Sequence, residues 1–253
     1  MLEVHRDPVA DHGLHLSQAP IPLVGMPHEH AGFEKFVQRR LPRGAPVNAP
    51  MTVDLSALVS ARLCHDLISP MGAIGNGLEL MQLSQPAASA ELDLIADSLG
   101  SAIAKLRFFR IAFGPADAQA RIAGEEMRSV TDAMFPGRFT VFWAGPPRDV
   151  SRATGKLIFL ALLCLEKSLP MGGAATIALG EEDDAIAIAA EGRRLAPPSE
   201  LWALAAGAAT ETLRSDAVQF ALLAGALADQ GLEIETRFEE PGAEVRIGPP
   251  SPA

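Results

Sequence analysis

In the run Arg62-Leu63-Cys64-His65-Asp66-Leu67-Ile68-Ser69-Pro70, a histidine is followed at once by an acid and, five positions on, by a proline. No other histidine occurs after position 30. An exposed imidazole titrates near neutral pH and can serve as acid, base or nucleophile, so its surroundings decide which chemistry it performs. The apolar periodicity predicts a long helix from about Leu55 to Leu83. At about 3.6 residues per turn, Arg62, His65, Ser69, Gly72 and Asn76 share one side, and Val59, Leu63, Leu67, Ile74, Leu78 and Met81 share another. The imidazole is therefore expected to face outward on a stripe of polar and very small residues. Gly72, Gly75 and Gly77 each weaken such a helix by roughly 1 kcal/mol relative to alanine. Close approach of a partner's backbone is the expected compensation.

The elements that position this stripe follow from the flanking pattern. Asp54 or Ser56 can cap the first helix, and Ser84-Gln85-Pro86 marks its exit. Pro70 is expected to kink it just after the histidine. A second helix is predicted from about Ser89 to Ala112, with Leu92, Ile95, Leu99, Ile103 and Leu106 on one stripe. The short connection makes the pair an antiparallel hairpin. Two helices with broad apolar faces cannot bury them alone, so pairing with a second copy into a four-helix bundle is expected.

Gly114-Pro115 closes the hairpin, and a mixed pattern follows. Helices are predicted near Gly124–Phe135, Val150–Leu169, Glu200–Ala206 and Asp216–Gln230. Strands are predicted at Arg138–Trp143, Ala174–Leu179, Ala185–Ala190, Leu232–Phe238 and Ala243–Ile247. Interleaving of this kind makes a two-layer α/β sandwich, so the chain is α+β: a helical hairpin at 54–114, then an α/β domain at 115–248. Residues 1–53 read as a disordered proline-rich tail, and 249–253 as a short one. The first 50 residues hold seven prolines and five of the six histidines, which lack the flanking structure to fix metal ligands. Met51 is a possible natural start.

Composition sets the limits of function. The 253 residues are 48% hydrophobic and 21% charged, a globular balance. A net charge of -10 argues against a nucleic-acid surface. Cys64 and Cys164 show no CxxC spacing, so neither a disulfide framework nor a metal site is expected. The longest apolar run, Leu157–Leu165, is nine residues, too short for a bilayer, and the N-terminus lacks a signal-peptide pattern. No membrane contact and a cytoplasmic location are expected.

His65-Asp66-Leu67-Ile68-Ser69-Pro70 resembles the phosphoacceptor box of histidine kinases, the hairpin resembles their dimerisation and phosphotransfer domain, and residues 115–248 resemble their ATP-binding domain. The departures matter more than the matches. Gly172-Gly173 and Lys167 fit the kinase pattern, but its magnesium-holding asparagine is replaced by Cys164. The adenine-binding Asp-x-Gly-x-Gly becomes Ala190-Glu191-Gly192-Arg193-Arg194, and the glycine-rich loop before the last helix becomes Arg214-Ser215-Asp216-Ala217-Val218. The amide ligand, the adenine acceptor, the second glycine of that motif and the glycine-rich loop are missing, so the domain is expected to be degenerate and to bind no ATP.

The run from His65 through Pro70-Met71-Gly72-Ala73-Ile74-Gly75-Asn76-Gly77 is very similar to the ChpT-type histidine phosphotransferases of alphaproteobacteria. That resemblance implies a homodimer in a phosphorelay. His65 would accept a phosphoryl group from the receiver domain of a hybrid histidine kinase (CckA-like) and pass it to response regulators of the cell cycle (CtrA-like, CpdR-like). It implies no bound cofactor, with Mg2+ brought by the partner receiver. Asp66 would orient the imidazole, with either ring nitrogen open as the nucleophile. Arg62, Ser69, Gly72 and Asn76 would meet the phosphate or the partner, and Arg193 and Arg194 would serve docking. The rivals are a non-catalytic dimeric receiver-binding adaptor, an active histidine kinase and, from another class, a metal-dependent hydrolase, which would need further histidines.

Overall fold

Asp54 opens the first helix: its carboxylate accepts from the Ala57 amide at 3.1 Å, so the cap is Asp54 rather than Ser56. In the computed structural model, which describes residues 53–83, 89–117, 119–180 and 185–250, helix α1 runs Leu55–Leu83 and passes through a buried Pro70 without interruption. Helix α2 follows at Ser89–Ala112. Opposed contacts make the two antiparallel. Lys105 of α2 reaches the Asp66 carbonyl, while Gly77 lies against Ile95, near the other end of the pair. A Cβ on Gly77 would stand 2.6 Å from Ile95 Cγ1, so this glycine admits the neighbouring helix within the same chain. Gly72 and Gly75 face open space instead. The residues around the α1–α2 connection, the N-terminal stretch with its histidines and Met51, and 251–253 lie outside the described residues.

After the hairpin come β1 (Arg121–Ile122), α3 (Gly124–Met134), β2 (Phe139–Trp143), β3 (Val150–Ser151), α4 (Arg152–Ser168), β4 (Gly173–Leu179) and β5 (Ile186–Gly192). Then follow α5 (Ser199–Ala205), a 3-10 turn at Ser215–Ala217, α6 (Val218–Gln230), β6 (Glu233–Glu239) and β7 (Gly242–Gly248). Five strands form one sheet in the order β2-β4-β5-β7-β6, with β2 parallel to β4 and all other pairs antiparallel. The alternation along the strands fixes its two faces. Val141, Ala175, Ile177, Ile186, Ile188, Val245 and Ile247 are buried, whereas Phe142, Thr176, Ala189 and Arg246 are exposed.

The apolar run Leu157–Leu165 is the centre of α4 and is buried on every side, as a helix hydrophobic all round must be. It shares one core with the sheet, with α6 and with the end of α2, where Phe108 stacks on Phe159 at 4.3 Å. The base of the hairpin is thus fixed onto the α/β layers. One departure from the sequence reading lies at the start of α4. Val150–Ser151 is not helical, because it pairs with Arg121–Ile122 as a two-residue ribbon. Ser151 then caps the helix, its hydroxyl accepting from the Thr154 amide at 3.0 Å.

Gly172 and Gly173 survive for reasons of backbone. Gly172 has φ +82° and packs against the Arg138 carbonyl, and Gly173 lies against the Glu191 carbonyl across the sheet. A side chain fits at neither position.

Candidate phosphoacceptor site

The outward placement of His65 rests on α1: its side chain is 84% exposed, on the same face as the exposed Ser69, Gly72 and Asn76. Nδ1 lies 2.9 Å from Oδ1 of Asp66. The Asp66 side chain is only 14% exposed and carries a second fixed contact, accepting at Oδ2 from Arg62 Nε at 2.7 Å, one helical turn back. A carboxylate already anchored on one oxygen presents the other in a set direction. Acting as an acceptor, it selects the tautomer with the proton on Nδ1, which leaves the Nε2 lone pair toward solvent.

Arg62 is where the structure departs most from a reading of helix faces alone. Its side chain is 18% exposed and turned inward, donating through Nη1 to the Asp216 carbonyl at 3.1 Å. Lys105, which the sequence reading did not select, donates to the Asp66 carbonyl at 3.1 Å from the facing helix. The signal available in the sequence was a lysine set among the apolar residues of 102–106 in α2. Asp216 also sits in a pair: Lys167 Nζ donates to Oδ2 at 2.9 Å and Arg214 Nε to Oδ1 at 3.2 Å. The hydrogen bond from Lys167 holds the Asp216 carboxyl below its ordinary value; burial opposes it, and the bond from Arg214 adds to the lowering.

Between Arg62, Arg138, Glu166, Lys167 and Asp216 lies a cleft of about 460 Å³. Burial pushes the Glu166 carboxyl above its ordinary value of 4.5; Arg62, Arg138 and Lys105 draw it down and Asp66 pushes it up. A raised folded-state pKa means that the ionised form costs stability at neutral pH, and that this cost disappears as pH falls below 4.5. Glu166→Gln is expected to raise the melting temperature at pH 7, and the gain should shrink away as pH falls below 4.5. Paired thermal melts across this pH range check this; a gain that grows toward low pH would contradict it.

Two of the positions that depart from the kinase pattern, Cys164 and Ala190, are filled by core. Cys164 is fully buried, and burial pushes its thiol well up. One turn on, Ser168 Oγ donates to the Cys164 carbonyl at 2.9 Å and accepts from Trp202 Nε1 at 2.9 Å. Trp202, on the short α5, packs edge-on to Phe220 at 5.3 Å. Ala190 is buried in the middle strand β5. Arg193 and Arg194 are exposed just beyond that strand, and neither has a hydrogen bond or ion pair among the described residues. They are not brought together with the His65 network. Among the described residues, no helix is long and apolar enough to cross a membrane.

Comparison with known proteins places the chain among phosphotransferases. Residues 124–242 match the family model of the histidine phosphotransferase C-terminal domain. The protein phosphotransferase ChpT of Brucella abortus (strain 2308) is 36% identical over 172 residues, covering 65% of this chain and 82% of that protein. A bacterial phosphotransferase solved at 1.7 Å superposes with a TM-score of 0.67 at 30% identity, covering 79% of this chain and all of the other. An outward imidazole backed by a clamped carboxylate, on a fold shared with these proteins, leads to one conclusion: the chain belongs to the ChpT family of histidine phosphotransferases.

Proposed function

We propose that His65 takes a phosphoryl group from the aspartyl phosphate of a receiver domain and returns it to the aspartate of another. The donor is the receiver of a hybrid histidine kinase (CckA-like), and the acceptors are response regulators of the cell cycle (CtrA-like, CpdR-like). The observation that carries this reading is the exposed imidazole with Nδ1 held on Asp66. In the forward step the Nε2 lone pair attacks phosphorus, the N–P bond forms, and the P–O bond to the receiver's aspartate breaks, leaving its carboxylate. The phosphohistidine ring keeps its proton on Nδ1 and carries positive charge, which Asp66 stabilises. The reverse step onto a second receiver restores the neutral ring. Phosphoryl transfer depends mainly on positioning and charge, and magnesium belongs to the receiver's side of the encounter. Ser69, Gly72 and Asn76, exposed along the same face, are the surface that meets the receiver; Arg193 and Arg194 offer a second docking edge.

The reading excludes ATP as donor. It is supported by the buried thiol at position 164, the buried methyl at 190 and the Trp202–Ser168 contact beside Cys164. It includes a cytoplasmic homodimer. Leu92, Leu99, Ile103 and Leu106 of α2 are exposed in the single chain, as are Ile68, Met71 and Leu78 of α1. A second copy burying them would complete a four-helix bundle. The discriminating experiment offers the protein either labelled ATP or a labelled phospho-receiver. Label is expected from the receiver and not from ATP; label taken directly from ATP would restore the kinase.

A further inference from the structure

We infer that Lys167 and Asp216 of the α/β domain are positioning residues for the phosphotransfer, acting on the His65 imidazole through Arg62 and Asp66. This rests on His65 being the phosphoacceptor. The connection is continuous: His65 Nδ1 to Asp66 Oδ1 at 2.9 Å, Asp66 Oδ2 to Arg62 Nε at 2.7 Å, and Arg62 Nη1 to the Asp216 carbonyl at 3.1 Å. Arg62 uses two nitrogens of one planar fork, so the direction of its bond to Asp66 is set by the place of the Asp216 carbonyl. That carbonyl is itself pinned. Gln219, whose side chain is buried at the start of α6, donates to it at 3.2 Å. The Asp216 carboxylate is held by Lys167 at 2.9 Å and by Arg214 at 3.2 Å.

Lys167 stands at the end of α4, the most buried helix of the core, and so ties the 3-10 turn at Ser215–Ala217 to a rigid element. An ion pair as exposed as this one, with side chains 32% and 45% accessible, contributes little to stability. Its consequence is geometric. Of its side-chain hydrogen bonds to the core, a turn released from the Lys167 contact keeps only that of Gln219, and its shift moves the atom that aims Arg62 at Asp66. The α/β domain thus sets the tautomer of a histidine on the hairpin.

The test compares full-length wild type with Lys167→Met, Lys167→Arg and Asp216→Ala. Two quantities are read: single-turnover transfer from a phosphorylated receiver at varied concentration, and the His65 tautomer from its 15N shifts in the unphosphorylated protein. Lys167→Met is expected to slow the maximal rate by about tenfold with receiver KM unchanged, and Lys167→Arg to recover it to within about twofold. The Nδ1–H tautomer that dominates in wild type is expected to give way toward Nε2–H in Lys167→Met. Asp216→Ala, at a half-exposed position, is expected to reproduce the Lys167→Met behaviour and supplies the measurement if the lysine variant folds poorly. An unchanged tautomer in these variants, an unchanged maximal rate, or an effect on KM alone would overturn the inference. Failure of wild type to take label from any receiver would instead strike the assignment of His65, while the tautomer measurement would still decide the bridge.

Discussion

Replacing His65 by alanine is expected to reduce label acquired from a phospho-receiver to background while leaving the fold and receiver binding intact. The side chain is almost fully in solvent, and its single hydrogen bond is to the neighbouring Asp66, so stability should change by no more than about 0.5 kcal/mol. Chemistry has no substitute nearby. Asp66 is committed to Arg62, Ser69 lies a full turn away and Cys64 precedes the histidine on a different bearing of the helix. A relay assay and a binding assay on the same preparation separate the two effects. Retained relay by His65→Ala would reject the nucleophile; lost binding together with lost relay would mean that the imidazole is a docking group.

The second large effect belongs to Asp66→Asn. Arg62 Nε needs an acceptor, so the one remaining carbonyl oxygen of the amide stays on Arg62 and the NH2 group turns to His65. That donor favours an unprotonated Nδ1 and puts the proton on Nε2, the atom that has to attack. The expected loss is about 10²-fold in transfer rate, with receiver KM little changed. Rate and KM measured against wild type decide it. A variant as fast as wild type would show that the 2.9 Å contact does not control the tautomer in solution.

Much of this was legible in the sequence because it depends on local periodicity. The outward bearing of His65, the extent of α1 and α2 and the alternation of helices and strands after Gly114 follow from apolar spacing and punctuation. What was not legible depends on distant contacts. Arg62 reads as a polar residue on the His65 face, but the Asp216 carbonyl that turns it inward lies 154 positions away. Two-residue strands such as β1 and β3 carry too few residues to show alternation, and their pairing shortens α4 at its start. The α2 stripe was legible as apolar, yet in one chain Leu92, Leu99, Ile103 and Leu106 stay in solvent while Ala102, Ala104, Phe108 and Phe109 are buried. Periodicity locates an apolar face but does not say which neighbour covers it. Gly72-Gly75-Gly77 shows the same division: the last admits Ile95 of the same chain, and the first two remain open. The loss of the kinase pattern at Cys164 and Ala190 was readable residue by residue, whereas the bond from Trp202 to Ser168 required the fold.

The most direct measurement of the central claim is the position of the phosphate itself. Wild-type protein, labelled with 15N in its histidines and phosphorylated by a phospho-receiver in the absence of ATP, can be examined by NMR for coupling between 31P and the ring nitrogens. Phosphorus coupled to Nε2 of His65, with the proton retained on Nδ1, is the result this account predicts. Phosphate on another residue, or on Nδ1 of His65, would contradict it.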